Sequence, residues 1–126
     1  MKNKFSKAWK SSKKPRKQRK YVYNSPLNIK GKMLSSHLSK ELIKKYGKRN
    51  LRIRKGDTAK VVRGQFKGKI AKVEKVLLKK NKVLLQDVQV LKLDGSKAYY
   101  PTHTSNLIIT ELNLEDKKRL KSLTRK

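Results

Sequence analysis

The side chains in this sequence that could do chemistry are cations and aromatics. Lys13-Lys14-Pro15-Arg16-Lys17-Gln18-Arg19-Lys20 is the densest run, and no acid occurs before residue 41. Trp9, Tyr21 and Tyr23 lie among these charges. Ammonium and guanidinium groups at such density neutralise phosphates and release counterions, which makes binding favourable and salt-sensitive. Aromatic faces stack on unpaired bases with little regard to sequence. A second cluster, Arg63-Gly64-Gln65-Phe66-Lys67-Gly68-Lys69, sets three more cations on a loop with two glycines. Glycine lets the backbone turn left-handed and approach a partner closely. From such a loop Arg63, Lys67 and Lys69 could reach phosphates, with Lys55 and Lys72 as further candidates; discrimination would need base edges or shape. Blander readings stand beside these. The loop could be a hairpin that happens to be basic, and the run could be a solubilising or nuclear-import tail. An anionic membrane surface is the weaker competitor, because the run lacks the apolar face of an interfacial helix.

Catalytic chemistry has little to work with. Cysteine is absent, which excludes disulfides, thiolate catalysis and Cys-based metal sites. The two histidines, His37 and His103, belong to no metal-ligand spacing and read as structural or RNA-facing. The acids Glu41, Asp57, Glu74, Asp87, Asp94, Glu111, Glu115 and Asp116 are scattered. Glu115-Asp116 suits the start of a helix, and Asp57 suits the turn after Gly56. Gly64 and Gly68 do not give the G-x-x-x-x-G-K-[ST] spacing of a nucleotide-binding loop. No catalytic residue, cofactor, metal or small-molecule substrate is expected.

The whole chain extends the same bias. Its 126 residues carry 37 Lys+Arg against 8 Asp+Glu, a net charge of +29. Like charges at this density repel, so the compact state calls for a polyanion. Through residue 55 there are 20 basic residues and one acid, Glu41. The excess thus runs well beyond one short tail, which favours nucleic acid. The first 20 residues bury too little apolar surface to offset their ordering entropy and are expected to be disordered alone. One domain is the prior for this length. Apolar residues make up 35%, enough for a small core that does not use the whole chain. No apolar run approaches the roughly 18–20 residues of a membrane span. No apolar stretch follows the basic N-terminus, so no signal peptide is expected.

These cations must be held by elements that can be read in outline. Asn24-Ser25-Pro26 ends the basic arm. A short helix is expected next, capped by Ser35 or Ser36, with Leu38, Leu42 and Tyr46 on one face and Gly47 ending it. From residue 51 the pattern alternates as strands do: 51–55, 59–62, 70–79, 83–93, 97–100 and 107–110. Lys80-Asn81 and Asp94-Gly95 read as hairpin turns, the second the stronger. Alternation slips near 75–76 and 90–91, which calls for a bulge or sharp bend. Asn113 is the expected cap of a last helix, with Glu115 and Asp116 in its first turn. About five short strands with two short helices fit a small, strongly bent antiparallel barrel. The expected organisation is a basic extension over 1–24, a linker with a helix over 25–50, the barrel over 51–112, and a C-terminal helix with a basic tail over 113–126.

The stretch from Ile53 through Arg54-Lys55-Gly56-Asp57 and Val61-Val62-Arg63-Gly64-Gln65-Phe66-Lys67-Gly68-Lys69 to Val73 resembles the KOW motif. With Met33-Leu34-Ser35-Ser36-His37-Leu38-Ser39-Lys40-Glu41-Leu42 and His103-Thr104-Ser105-Asn106-Leu107-Ile108-Ile109-Thr110, the chain is similar to the universal large-subunit ribosomal protein 24 family (26 in eukaryotes), archaeal and eukaryotic branch. The likeness spans roughly residues 15–120. It implies an SH3-like KOW barrel that binds large-subunit ribosomal RNA in its 5′ region, acts early in subunit assembly and sits near the polypeptide exit tunnel, in the cytoplasm. Neighbouring ribosomal proteins would be its other partners. The turn glycines would be Gly56, Gly64 and Gly68. Ala71 stands where KOW motifs usually have Gly, and left-handed backbone there would be strained. Transcription elongation factors share the KOW motif, so a polymerase-docking factor is one rival; a basic chromatin protein on duplex DNA is another. The acidic or apolar docking domain that the first rival needs is not visible.

Overall fold

The computed structural model describes residues 5, 6, 8 and 12–125. Helix α1 (Pro15–Asn24) and helix α2 (Leu27–Met33) precede strand β1 (Ser35–Leu38) and helix α3 (Lys40–Tyr46). Strands β2 (Asn50–Arg52), β3 (Thr58–Val61), β4 (Ile70–Leu77), β5 (Lys82–Leu85), β6 (Gln89–Leu91), β7 (Lys97–Tyr99), β8 (Thr102–His103) and β9 (Leu107–Glu111) follow, then helix α4 (Lys117–Thr124). Seven strands form one mixed sheet in the order β2-β1-β9-β3-β4-β5-β8, and β6 with β7 makes a separate ribbon. The fold is mainly β with short helices.

Alternation builds the core. Ala59 and Val61 of β3, Ala71 and Val73 of β4, Val83 and Leu85 of β5, and Leu107 and Ile109 of β9 all point inward and are buried. Leu34, Leu38, Ile53, Phe66 and Val88 complete the cluster. From β9 through β3, β4 and β5 to β8 every neighbour is antiparallel. The expected slip near residue 75 is a register shift between Val73 and Lys75 against β5. Ala71 is buried in extended backbone opposite Ala59. That position needs a small side chain, not a left-handed turn, so Ala serves.

Several expectations are corrected. Ser35–Leu38 is a strand, not a helix start: it pairs antiparallel with β2 and parallel with β9. Ser36 donates its hydroxyl to the Thr104 carbonyl at 2.9 Å, and Leu38 enters the core. The helix begins later, capped by Ser39, whose Oγ accepts from Leu42 N; Gly47, at φ 65, ends it as expected. Residues 83–93 are not one strand but two, parted at Gln86-Asp87-Val88. Val90 and Leu91 both face solvent on the ribbon, so their broken alternation reflects a missing core and no bulge. The Asp94-Gly95 hairpin is present, Gly95 at φ 81. Asp116, not Asn113, caps the last helix, accepting from Lys118 N, and Glu115 precedes it.

The basic run carries a helix. Pro15 sits at the start of α1, where its fixed φ suits a helix. Arg, Lys and Gln are good helix formers, and Phe5 packs against Tyr21 with the rings tilted, centroids 4.9 Å apart. The helix buries no residue and has no side-chain cap. A helix of this length is marginal in water without further contacts.

Candidate nucleic-acid interface

The loop between β3 and β4 is a rigid basic tip. Gly68 N donates to Val61 O and Val61 N to Lys69 O, both at 2.8 Å, which closes its base. Gly64 (φ 93) and Gly68 (φ 92) take left-handed backbone, and a Cβ on either would meet nothing within 4 Å. The glycines are therefore needed for conformation, and their faces stay open to a partner. Phe66 folds inward against Tyr100, ring centroids 5.4 Å apart, and pins the loop to the sheet. Lys69 Nζ lies 5.1 Å from the Phe66 ring centre, a cation–π contact. Arg63, Lys67 and Lys69 are exposed together at the tip.

The remaining candidates spread from there. Lys72 points outward from β4, with Lys60 on neighbouring β3; Lys60 was missed because it sits in a plain alternating strand. Lys55 lies beside Gly56 (φ 89) at the opposite turn, where Glu74 holds its ammonium at 3.7 Å. Lys13 and Lys14 precede α1, and Arg16, Lys17, Arg19 and Lys20 stand along it. Tyr23 is 82% exposed and open to stacking, whereas Tyr21 already has the Phe5 ring tilted against it. Trp9 lies outside the described residues. His37 is exposed on β1, its Nδ1 2.7 Å from Leu38 O.

Beneath this surface lies an ion pair that the sequence did not announce. Asp57, 0% exposed, accepts from Arg119 Nη1 at 2.6 Å and Nη2 at 2.7 Å. It also accepts from Arg54 N at 2.8 Å and Asn113 N at 3.0 Å. The expected role of Asp57 in the turn holds, but the same carboxylate also fastens α4 across the sheet. Nearby, the Arg54 guanidinium donates to Asp116; that bond, then the Lys118 N–H, holds the Asp116 carboxyl below its usual 3.8. Hydrogen bonds from Ser96 likewise lower Asp94 on the ribbon.

Among the described residues no group of three or more His, Asp and Glu could hold a metal ion. No helix among them is long and apolar enough to cross a membrane.

Residues 12–126 match the family described as ribosomal proteins, L26 in eukaryotes and L24 in archaea. The large ribosomal subunit protein uL24 of Methanosphaera stadtmanae is 46% identical over 115 residues, covering 91% of this chain and 98% of that protein.

Proposed function

Since the chain belongs to this family of ribosomal proteins, eukaryotic L26 and archaeal L24, we propose that it is a structural constituent of the large ribosomal subunit that works by binding ribosomal RNA. One observation carries the RNA reading. Eight acids cannot answer 37 Lys and Arg residues, and the ion pairs among the described residues hold Arg54, Lys55 and Arg119. The surplus charge calls for an external polyanion. The antiparallel set β9-β3-β4-β5-β8 serves as the SH3-like KOW barrel, with the Gly64–Gly68 loop at its rim. Neutralised phosphates let RNA strands approach that would otherwise repel, and α1 lays a second line of cations along the same polymer. The family resemblance supports contact with the 5′ region of the large-subunit RNA, an early place in assembly and a position near the polypeptide exit tunnel.

Competition binding tests this. At matched salt the chain should prefer large-subunit ribosomal RNA over duplex DNA, and in extracts it should sediment with large subunits. Preference for duplex DNA, or co-purification with RNA polymerase in place of ribosomes, would overturn it. Lys67→Glu with Lys69→Glu should weaken RNA binding at least tenfold. Stability should change only by removal of the cation–π interaction, about 0.5–1 kcal/mol.

A further inference from the structure

Two concavities border the basic surface, and they treat their cations differently. The larger, about 910 Å³, runs between Arg52-Ile53-Arg54-Lys55 and strands β4, β5 and β7. Two of its four cations are answered, Lys55 by Glu74 and Arg54 by Asp116, and the Glu74 carboxylate itself lines the wall. The smaller, about 80 Å³, lies under the glycine loop. Arg63, Lys82 and His103 converge on it from the loop, β5 and β8, with Gln65 and Asn106 at its edge. No carboxylate lines it, and neither Arg63 nor Lys82 has an ion-pair partner among the described residues. Lys82 and His103 are directly paired across β5 and β8, which sets their side chains on one face a few ångströms apart.

The imidazole is oriented by its own turn. Ser105 N donates to His103 Nδ1 at 3.2 Å, so the neutral ring carries its proton on Nε2. On protonation Nδ1 gives up the Ser105 N–H bond and donates instead to Ser105 Oγ, 2.8 Å away. We propose that this pocket takes one phosphodiester of the bound RNA between Arg63, Lys82 and His103, and that the imidazole binds a solvent proton as the phosphate enters. The inference rests on the RNA-binding reading above and adds a site of defined chemistry to it.

Charge balance supplies the reason. In the free chain, burial and then the nearby Lys82 lower the His103 pKa from 6.5. The charged and titratable groups that share this pocket with the ring are Lys82 from β5, Arg63 from the glycine loop and the Tyr100 phenol before β8, all cationic or neutral. A phosphate set among them reverses the sign of the local field and favours the imidazolium. Binding and proton uptake are then linked, and RNA affinity rises as pH falls.

The chain has only two histidines, His37 and His103, so few groups can carry a pH dependence near neutrality. RNA affinity measured from about pH 7.5 to about pH 5.5 should rise by up to tenfold per unit for one proton taken up. His103→Gln should flatten that dependence, and His37→Gln should leave it intact. Inorganic phosphate added to the full chain without RNA should raise the titration midpoint of the His103 ring and leave that of His37 unmoved, as read by NMR. RNA binding that is independent of pH, or that keeps its pH dependence in His103→Gln, overturns the pocket and leaves the function standing. Phosphate that leaves both rings unmoved also overturns it. Should ribosomal RNA not bind the unmodified chain at all, the functional reading fails first, and the phosphate titration alone decides the pocket.

Discussion

Two short basic helices lie near the two ends of the chain and handle charge in opposite ways. Helix α4 carries Lys117, Lys118, Arg119 and Lys121, yet Arg119 and Leu123 are buried and Asp116 caps its first turn. Helix α1 carries Arg16, Lys17, Arg19 and Lys20, has no buried residue and has no side-chain cap. Similar composition therefore gives a structural clasp at one end and an outward line of cations at the other. The deciding difference is a counter-charge in the sheet. Asp57 meets Arg119 in a fully desolvated turn, whereas α1 buries none of its cations against such a group. In a chain this basic, acids are too few to pair with most cations. Where an acid is buried marks where a cation belongs to the fold.

The sharpest way to break the comparison is to remove the counter-charge. Arg119→Ala leaves the Asp57 carboxylate buried with only backbone donors, and an uncompensated buried charge costs about 3–5 kcal/mol. Chemical denaturation should show that loss, and α4 should detach. Lys20→Ala on α1 should stay within about 0.5 kcal/mol of the unmodified chain, as exposed substitutions do. Equal effects would erase the distinction between the helices.

The complementary change acts on binding. Deleting residues 1–24 should leave the unfolding midpoint of the remaining chain nearly unchanged, since α1 buries no residue. It should flatten the dependence of log K on log salt by about 0.7–0.9 for each phosphate no longer neutralised. Filter binding across a salt series reads this directly. An unchanged slope would mean that the N-terminal cations do not touch RNA.

Much of this contrast could be read from the residues, and what could not has a common cause. The strands around Ala59, Val73 and Ile109, the Asp94-Gly95 hairpin and the Gly47 helix stop are local signals, carried by period and turn chemistry. So is the basic loop, whose cations are neighbours in sequence. Strand β1 escaped because Ser35-Ser36-His37 has no strong preference; its extended form comes from pairing with Ile108 and Ile109, far along the chain. The Asp57–Arg119 pair spans 62 positions, and the meeting of Lys82 with His103 depends on the register between β5 and β8. Partners fixed by pairing across the sheet leave no mark in the local pattern. In the N-terminal run Pro15 and the helix-forming Lys, Arg and Gln set the local form, α1, while the scarcity of apolar residues leaves none of it buried.

The smallest expected effect concerns acid. Arg54 and the Lys118 N–H hold the Asp116 carboxyl below its ordinary value of 3.8. A carboxylate with a lowered folded pKa stabilises the fold fully above its unfolded value and loses that contribution as pH falls through the folded one. Asp116→Asn keeps a competent helix cap but removes the titrating charge and its pairing with Arg54. The stability difference between the unmodified chain and Asp116→Asn should therefore be constant above about pH 5 and shrink toward zero as the pH falls through the folded value, below 3.8. Parallel urea unfolding series at stepped pH would show this, the difference isolating Asp116 from the response of the rest of the chain. Helix α1 has no side-chain cap, so no such limb should attach to it. A difference that persists unchanged into strong acid would mean that α4 is held by Arg119 and Leu123 alone, and that its cap contributes through geometry and not charge.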